Sequence, residues 1–189
     1  MKLLFINSCI RKESRTKYLA DYFINKYNKD NIEIEEIDLK KINLKPLLED
    51  DINKRTNFIE NNDFSDSMFD LAKKFISADK IIIAAPYWDL SFPSILKVFV
   101  EHICVNELSF RYERGKSIGL SNFSSLLYIS TSGGYQELDG INYITNISNF
   151  LGNGKVFYVK AEGLDVFGND VEKIIDDSKK ELDKILLEF

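Results

Sequence analysis

The residues best suited to hold a charged ligand lie near the amino terminus, in segment 7–16. It reads Asn-Ser-Cys-Ile-Arg-Lys-Glu-Ser-Arg-Thr and carries three hydroxyls and three basic side chains. Hydroxyl and guanidinium groups donate hydrogen bonds to phosphate oxygens, and a helix that begins near Ser14 would add free backbone N–H groups. The composition predicts a phosphate-binding loop; the alternative is an ordinary helix cap at Ser14 among solvated basic residues. Neither the dinucleotide-binding glycine fingerprint nor the P-loop pattern is present, which disfavours a pyrophosphate or a nucleoside triphosphate.

The same segment also fits a different activity, that of a phosphatase. Cys9 and Arg15 are spaced as C-x5-R and are followed by Thr16, which resembles the signature of low-molecular-weight tyrosine phosphatases. In that family the cysteine thiolate attacks phosphorus and the arginine holds the phosphate oxygens. The segment lacks a glycine, and none of the three prolines follows the aspartate of an Asp-Pro general acid. The phosphatase remains an alternative, beside the simpler interpretation of Cys9 as a small apolar residue near a strand end.

Two later segments have the composition of ligand-binding loops. Segment 85–94 reads Ala-Pro-Tyr-Trp-Asp-Leu-Ser-Phe-Pro-Ser, in which aromatic residues and a turn-forming aspartate could wall a flat ligand or plug the core. Segment 130–135 reads Ser-Thr-Ser-Gly-Gly-Tyr, in which paired glycines let the backbone approach a planar ring or form a plain turn. Together with segment 7–16, these two segments offer a phosphate-binding loop, an aromatic wall and a closely approaching backbone. These features match, in that order, the phosphate, the ribityl chain and the flat redox ring of FMN.

Apolar runs and helical patterns alternate along the chain and would position these segments. Five apolar runs predict strands, at residues 3–6, 32–35, 80–85, 126–129 and 156–159. Helical periodicity predicts five helices, which begin near Ser14, Met68, Pro93, Ile141 and Val171. Such alternation predicts an α/β fold of the flavodoxin-like type, a three-layer sandwich whose five-stranded parallel sheet has the order 2-1-3-4-5, with helices on both faces. Ligands of such folds bind beyond the carboxyl ends of the strands, where the three segments begin.

Two further features concern the organisation of the chain. Run 32–35 alternates apolar and acidic residues, so we expect this strand near an edge of the sheet. Segment 40–62 is long and polar, and we expect it to be an insertion packed over the sheet edge. No internal repeat is present, and we expect residues 1–189 to form a single domain.

Composition excludes several classes of function. Hydrophobic residues make up 44% and charged residues 29% of the 189 residues, as in ordinary globular proteins. The net charge of -5 disfavours a nucleic-acid-binding protein. Two cysteines and a single histidine, His102, make a metal site unlikely to form. No signal peptide and no membrane span are apparent, so we expect a cytoplasmic protein without nucleic-acid or membrane partners.

The sequence resembles the FMN-dependent NAD(P)H:quinone oxidoreductase and azoreductase family, over nearly the whole chain. The motifs that carry the resemblance are Ser8 with Ser14-Arg15-Thr16, the run 81–94, Phe110-Arg111-Tyr112, Thr131-Ser132-Gly133-Gly134 and Ala161-Glu162-Gly163. The resemblance implies that the FMN phosphate is held by Ser8, Ser14, Arg15 and Thr16. It implies that the ring is flanked by Pro86, Tyr87, Trp88, Asp89 and Leu90, and its other edge by Thr131, Ser132, Gly133 and Gly134. This chain has Asp89 and Leu90 where the family usually has Asn and Phe.

The resemblance also implies an activity and an assembly. NADH or NADPH would deliver hydride to the flavin, and a quinone, an azo compound or another flat oxidant would then take the electrons in a ping-pong sequence. No catalytic side chain is required, because the flavin carries the chemistry. The family forms homodimers with FMN at the subunit interface, and apolar residues surround the predicted helix 93–103. A flavodoxin-like electron carrier is an alternative, although flavodoxins are typically more acidic and have a Thr/Gly-rich phosphate loop.

Overall fold

The structure is a computed structural model that describes residues 1–27 and 32–189. Its strands are β1 (Lys2–Asn7), β2 (Glu33–Asp38), β3 (Lys80–Ala84), β4 (Phe110–Glu113), β5 (Lys116–Gly119), β6 (Ser125–Thr131) and β7 (Lys155–Ala161). Its helices are α1 (Arg15–Tyr27), α2 (Glu49–Glu60), α3 (Asp70–Ile76), α4 (Ser94–Ile103), α5 (Asp139–Leu151) and α6 (Val171–Ile185). Within the described residues, no helix has the length and apolarity needed to cross a membrane.

Five of the strands form a parallel sheet in the order β2-β1-β3-β6-β7. This order confirms the predicted arrangement, once the hairpin strands β4 and β5 are set aside. Asn7 pairs with Ala84, and Thr131 pairs with Ala161, so the carboxyl ends of these strands lie at one edge. The segments that follow β1, β3 and β6 therefore emerge next to one another.

Helices cover both faces of the sheet, as predicted. Successive side chains of a strand point to opposite faces, so Leu3 and Phe5 pack with α1 and α6, and Leu4 and Ile6 pack with α3, α4 and α5. We call these two sides the α1–α6 layer and the α3–α5 layer. Strand β2 lies at the edge of the sheet, as predicted, and Glu33 and Glu36 on it are exposed while Glu35 is half-buried.

Segment 40–62 differs from the prediction. It begins beside the edge strand β2 but contains helix α2, which continues towards the α3–α5 layer. Phe58 of α2 and Phe64 contact Phe69 edge to face, with ring centroids 5.9 and 5.3 Å apart. Arg55 of the same helix donates a hydrogen bond to the carbonyl of Glu101 on α4, at 3.2 Å. The segment therefore covers the helical layer rather than the sheet edge alone.

The antiparallel hairpin of β4 and β5 was not predicted. Its two-residue turn places Arg114 and Gly115 at φ of 50° and 77°, which is the positive-φ geometry that suits the twist of a hairpin. Most of its side chains are exposed, so the segment lacks the alternation of apolar and polar residues by which a half-buried strand is recognised. Only the Arg-Gly pair in a short polar run could have indicated a turn.

Candidate functional site

The first turn of α1 lies at the carboxyl edge of the sheet and lines a cavity there. Ser14 caps this helix, because its Oγ accepts a hydrogen bond from the backbone N–H of Lys17 at 3.2 Å. The backbone N–H groups of Arg15 and Thr16 have no carbonyl acceptor within the helix, because they lie in its first turn. The helix dipole adds partial positive charge at the same end. We call residues 14–16 the cradle. Ser14 is thus the predicted helix cap, and its role in binding phosphate remains a prediction.

Hydrogen bonds tie the cradle to the two other predicted loops. The buried hydroxyls of Thr16 and Thr131 lie 2.6 Å apart, which joins α1 to the end of β6. The carbonyl of Thr131 accepts a hydrogen bond from the backbone N–H of Tyr87 at 2.9 Å. The Tyr87 hydroxyl in turn accepts from the backbone N–H of Glu137 at 3.2 Å. These hydrogen bonds hold the three loops together at the carboxyl edge of the sheet.

The aromatic loop ends in a tight turn. Trp88 and Ser91 exchange two backbone hydrogen bonds of 3.0 and 2.9 Å, and the residues between them, Asp89 and Leu90, have φ of 49° and 67°. Aspartate tolerates a positive φ, but for leucine this conformation is strained. The Leu90 side chain is 68% exposed. Backbone strain of this kind persists where the surrounding structure fixes it, and it is common at ligand-binding sites.

A residue that the sequence analysis missed lies against the cradle. Asp165 follows β7, and its backbone N–H donates to the carbonyl of Gly133 at 2.9 Å. Its carboxylate accepts a hydrogen bond from Nη1 of Arg15 at 2.9 Å. A Cβ at Gly133 would overlap this carboxylate. Asp165 lies two residues beyond the Ala161-Glu162-Gly163 motif, and its position after a strand at the carboxyl edge was the available signal.

These loops enclose an open cavity of about 910 Å³, within the range of about 300–1,000 Å³ usual for small-molecule sites. Nine of the predicted residues line it: Ser14, Arg15, Thr16, Pro86, Tyr87, Trp88, Thr131, Ser132 and Gly133. Its lining also includes Ile10, Arg11, Lys12 and Glu13, which lie in the predicted segment 7–16 without having been assigned individual contacts. The remaining lining residues were not predicted, namely Lys17, Tyr18, Asp21, Leu164, Asp165 and Ile175. The guanidinium of Arg11 lies 5.8 Å from the centroid of the Trp88 ring, so basic and aromatic groups meet across the cavity.

Four predicted residues lie outside this lining. Ser8 is fully buried, and its hydroxyl donates to the carbonyl of Ala84 at 3.0 Å, which links β1 to β3. Asp89 and Leu90 form the tip of the aromatic turn. The carbonyl of Gly134 accepts hydrogen bonds from the Ser132 hydroxyl and the Gly163 N–H. A role for these four residues in ligand binding remains a prediction.

The environment of Cys9 opposes the phosphatase alternative. The thiol is 1% exposed and its Sγ lies 3.7 Å from the carbonyl of Ala84, below the cradle. Burial raises the pKa of Cys9 to about 11, so the thiolate that would attack phosphorus is scarce at neutral pH. Cys9 also lies outside the cavity lining, whereas Arg15 lies within it.

The sheet order and the helices on both faces define a flavodoxin-like protein with an open cavity at the carboxyl edge of its sheet. A family model described as flavodoxin-like fold matches residues 1–186, and the chain belongs to this family.

Characterised relatives match along almost the whole chain. An FMN-dependent NADH:quinone oxidoreductase of Coprothermobacter proteolyticus is 34% identical over 199 residues, covering 100% of this chain and 99% of the relative. FMN-dependent NADH:quinone oxidoreductase 2 of Clostridium acetobutylicum is 37% identical over 186 residues, covering 92% of each chain. The crystal structure of an FMN-dependent NADH-azoreductase from Bacillus anthracis in complex with FMN superposes with a TM-score of 0.83 at 23% identity, covering 100% of this chain and 99% of the other. At that identity the superposition establishes the shared fold.

Proposed function

We propose that this chain binds FMN in the cavity and reduces quinones or azo compounds with electrons from NADH or NADPH. The observation that carries the proposal is the cavity itself, because it joins a basic helix N-terminus to an aromatic wall. The full-length relatives named as FMN-dependent NADH:quinone oxidoreductases support the choice of cofactor and reaction.

The donor set fits FMN. Ser14, Arg15 and Thr16 supply hydroxyl, guanidinium and backbone donors at one end of the cavity, which is the chemistry that a phosphate dianion requires. Tyr87 and Trp88 offer aromatic surface for one side of a ring. Thr131, Ser132 and Gly133 form a further part of the lining. When bound, FMN supplies the two-electron redox chemistry.

The residues of the chain then act by position and environment. Trp88 and Tyr87 exclude water from one side of the cavity, and the turn at Asp89 and Leu90 fixes their orientation. No protein nucleophile takes part, in keeping with the buried, protonated thiol of Cys9. We propose a ping-pong order, in which the oxidised nucleotide leaves before the acceptor enters, because both must reach the same ring.

The same proposal extends to assembly and location. Apolar side chains remain exposed near the loops of the site, with Leu90 68%, Tyr135 70% and Leu138 58% exposed. A second copy of the chain would cover such a surface, so we propose a homodimer whose interface adjoins the cavity. We further propose that residues 1–189 act as a single FMN-binding domain in the cytoplasm, in keeping with the two free cysteines.

Identification of the bound cofactor tests the proposal directly. We expect purified protein to be yellow, and denaturation to release FMN that mass spectrometry identifies. Addition of NADH and menadione should then give sustained NADH oxidation without a partner protein. Oxidation that requires an added partner reductase would instead support the electron carrier. Hydrolysis of p-nitrophenyl phosphate that depends on Cys9, in protein free of flavin, would support the phosphatase and contradict the proposal.

A further inference from the structure

An ion pair spans the cradle. Nη1 of Arg15, on the first turn of α1, lies 2.9 Å from Oδ1 of Asp165, which follows β7. Their side chains are 48% and 69% exposed, and both residues line the cavity with Ser14 and Thr16. The carboxylate of Asp165 thus lies beside the Arg15 guanidinium, where the proposed function places the phosphate of FMN.

The backbone fixes Asp165 at this place. Beyond the paired ends of β6 and β7, the Leu164 N–H donates to the carbonyl of Ser132 at 3.1 Å and the Asp165 N–H donates to that of Gly133 at 2.9 Å. These bonds carry the strand pairing on into the loops. Because Gly133 has no Cβ, the carboxylate can lie against its backbone and face Arg15. The anion is therefore part of the cavity wall and does not depend on a freely moving surface loop.

A phosphate and this carboxylate need the same partner. The N–H of Arg15 that bonds to Asp165 cannot bond to a phosphate oxygen at the same time, and two anions side by side repel each other. We propose that Asp165 competes with the phosphate of FMN for Arg15, and thereby sets how much the phosphate contributes to cofactor affinity. This inference rests on the proposed function, because it takes FMN as the ligand.

The competition should leave a signature that a structural role would not. Both side chains are largely exposed, so their ion pair adds little to the stability of the fold and Asp165→Asn should fold normally. The effect should appear only for ligands that carry a phosphate. It should also weaken at high ionic strength, because salt screens exposed charges.

The test compares the affinities of the full chain, freed of bound flavin, for FMN and for riboflavin by fluorescence quenching. We expect Asp165→Asn to tighten FMN binding by about threefold to tenfold at low salt and to leave riboflavin binding unchanged. The gain should shrink at high salt. Asp70→Asn is the matched control: it removes the same charge from α3, where Asp70 pairs with Lys73 at 3.5 Å, and should change neither affinity.

Other outcomes overturn the inference. Weaker or unchanged FMN binding in Asp165→Asn would mean that the carboxylate orients Arg15 or is inert. Equal changes for FMN and riboflavin would assign Asp165 to the ring or to the fold. A gain of undiminished size in the Arg15→Ala background would show that Arg15 is not the shared partner. If the wild-type chain binds neither flavin, the proposed function fails, and this result is distinct from all the others.

Discussion

The two layers of the sandwich differ in how many of their buried polar atoms lack a hydrogen-bond partner among the described residues. In the α1–α6 layer the Thr16 and Thr131 hydroxyls are 2.6 Å apart, and the hydroxyl of Ser178 on α6 donates to the carbonyl of Ile174 at 2.9 Å. Towards the α3–α5 layer, several buried polar atoms have no hydrogen-bond partner among residues 1–27 and 32–189, namely Oδ1 of Asn106, Nε2 of Gln136 and the hydroxyls of Ser121, Tyr128, Ser130 and Ser148. Other polar groups on that side are paired, since the Tyr158 hydroxyl donates to Oε1 of Gln136 at 3.0 Å. The layers therefore differ in their unpaired polar atoms, which lie on the side away from the cradle.

Strand β6 shows the contrast within adjacent residues. Thr131 points to α1 and pairs with Thr16, whereas the hydroxyl of Ser130, on the opposite side of the strand, has no partner in the described part of the chain. On that side Tyr128 and Tyr158 stack with centroids 5.4 Å apart, and burial raises the pKa of both, to about 12 for Tyr158. Both layers contain packed aromatic rings, since Phe23, Tyr27 and Phe189 contact one another in the α1–α6 layer. The difference between the layers therefore lies in their unpaired polar atoms and not in aromatic packing.

The largest expected effect is a loss of thiol reactivity, and we expect it for the cysteine of each layer. An equal loss at both cysteines would mean that the layers are equally closed to solvent and differ only in their hydrogen bonds. Burial raises the pKa of Cys9, in the α1–α6 layer, and of Cys104, beside the α3–α5 layer, from 9.0 to about 11. Both thiols should therefore hold about 100-fold less thiolate at pH 8 than an unperturbed thiol. We expect slow alkylation by iodoacetamide at both sites, measured by mass spectrometry of peptides.

The same pKa shifts predict a pH dependence of stability. Between pH 9.0 and about 11 the native thiols keep their protons while the unfolded chain loses them. Their contribution to the free energy of unfolding is thus complete below pH 9.0 and is lost as the pH rises through about 11.

For the alkylation experiment at pH 8, rapid reaction of one cysteine alone would show that the layer around that cysteine is open in solution.

An arginine from each layer provides the next comparison. Arg15→Ala should weaken FMN binding by about 1–3 kcal/mol, because it removes a charge-assisted contact to the phosphate. Arg55→Ala, which removes a guanidinium that bonds to the carbonyl of Glu101 on the other layer, should leave FMN affinity unchanged. Fluorescence titration measures both. Equal losses would mean that the phosphate is not held at the cradle.

Two hydroxyl deletions test the contrast itself. Thr16→Val leaves the buried hydroxyl of Thr131 without its partner, and we expect a loss of about 1–3 kcal/mol in the free energy of unfolding. Tyr128→Phe removes a buried hydroxyl that lies near the Ser130 hydroxyl but makes no hydrogen bond of ordinary length and angle among the described residues, so the loss should be below about 0.5 kcal/mol. Urea unfolding gives both values. A large loss for Tyr128→Phe would show that this hydroxyl is bonded in solution.

The sequence specified most of the fold because the apolar runs are unambiguous. Leu3 to Ile6 and Ile81 to Ala84 are buried on both faces, and such runs leave little choice but a central parallel strand. The hairpin of β4 and β5 escaped detection because its side chains are mostly exposed and carry no periodic signal.

The site was harder to specify than the fold. Loop composition located the cavity, since chain order and sheet topology together bring segments 7–16, 85–94 and 130–135 to one edge. It could not show that Ser8 turns inward to Ala84 or that Asp165 reaches Arg15. Both facts depend on side-chain direction and on contacts between residues 76 and 150 positions apart, which local sequence does not encode.

The smallest expected effect concerns two buried helical serines, one in each layer. Ser148 on α5 has no partner for its hydroxyl in the described part of the chain, whereas Ser178 on α6 bonds to Ile174. Ser148→Ala should raise the free energy of unfolding by about 0.5–1 kcal/mol, because it removes an unpaired buried hydroxyl and adds helix propensity. Ser178→Ala should change it by about zero, because the same gain in propensity offsets a lost hydrogen bond. Urea unfolding of the two variants side by side decides the matter. If Ser148→Ala is the more destabilising change, its hydroxyl has a partner in solution, and the difference between the layers lies in what each one contacts outside the chain.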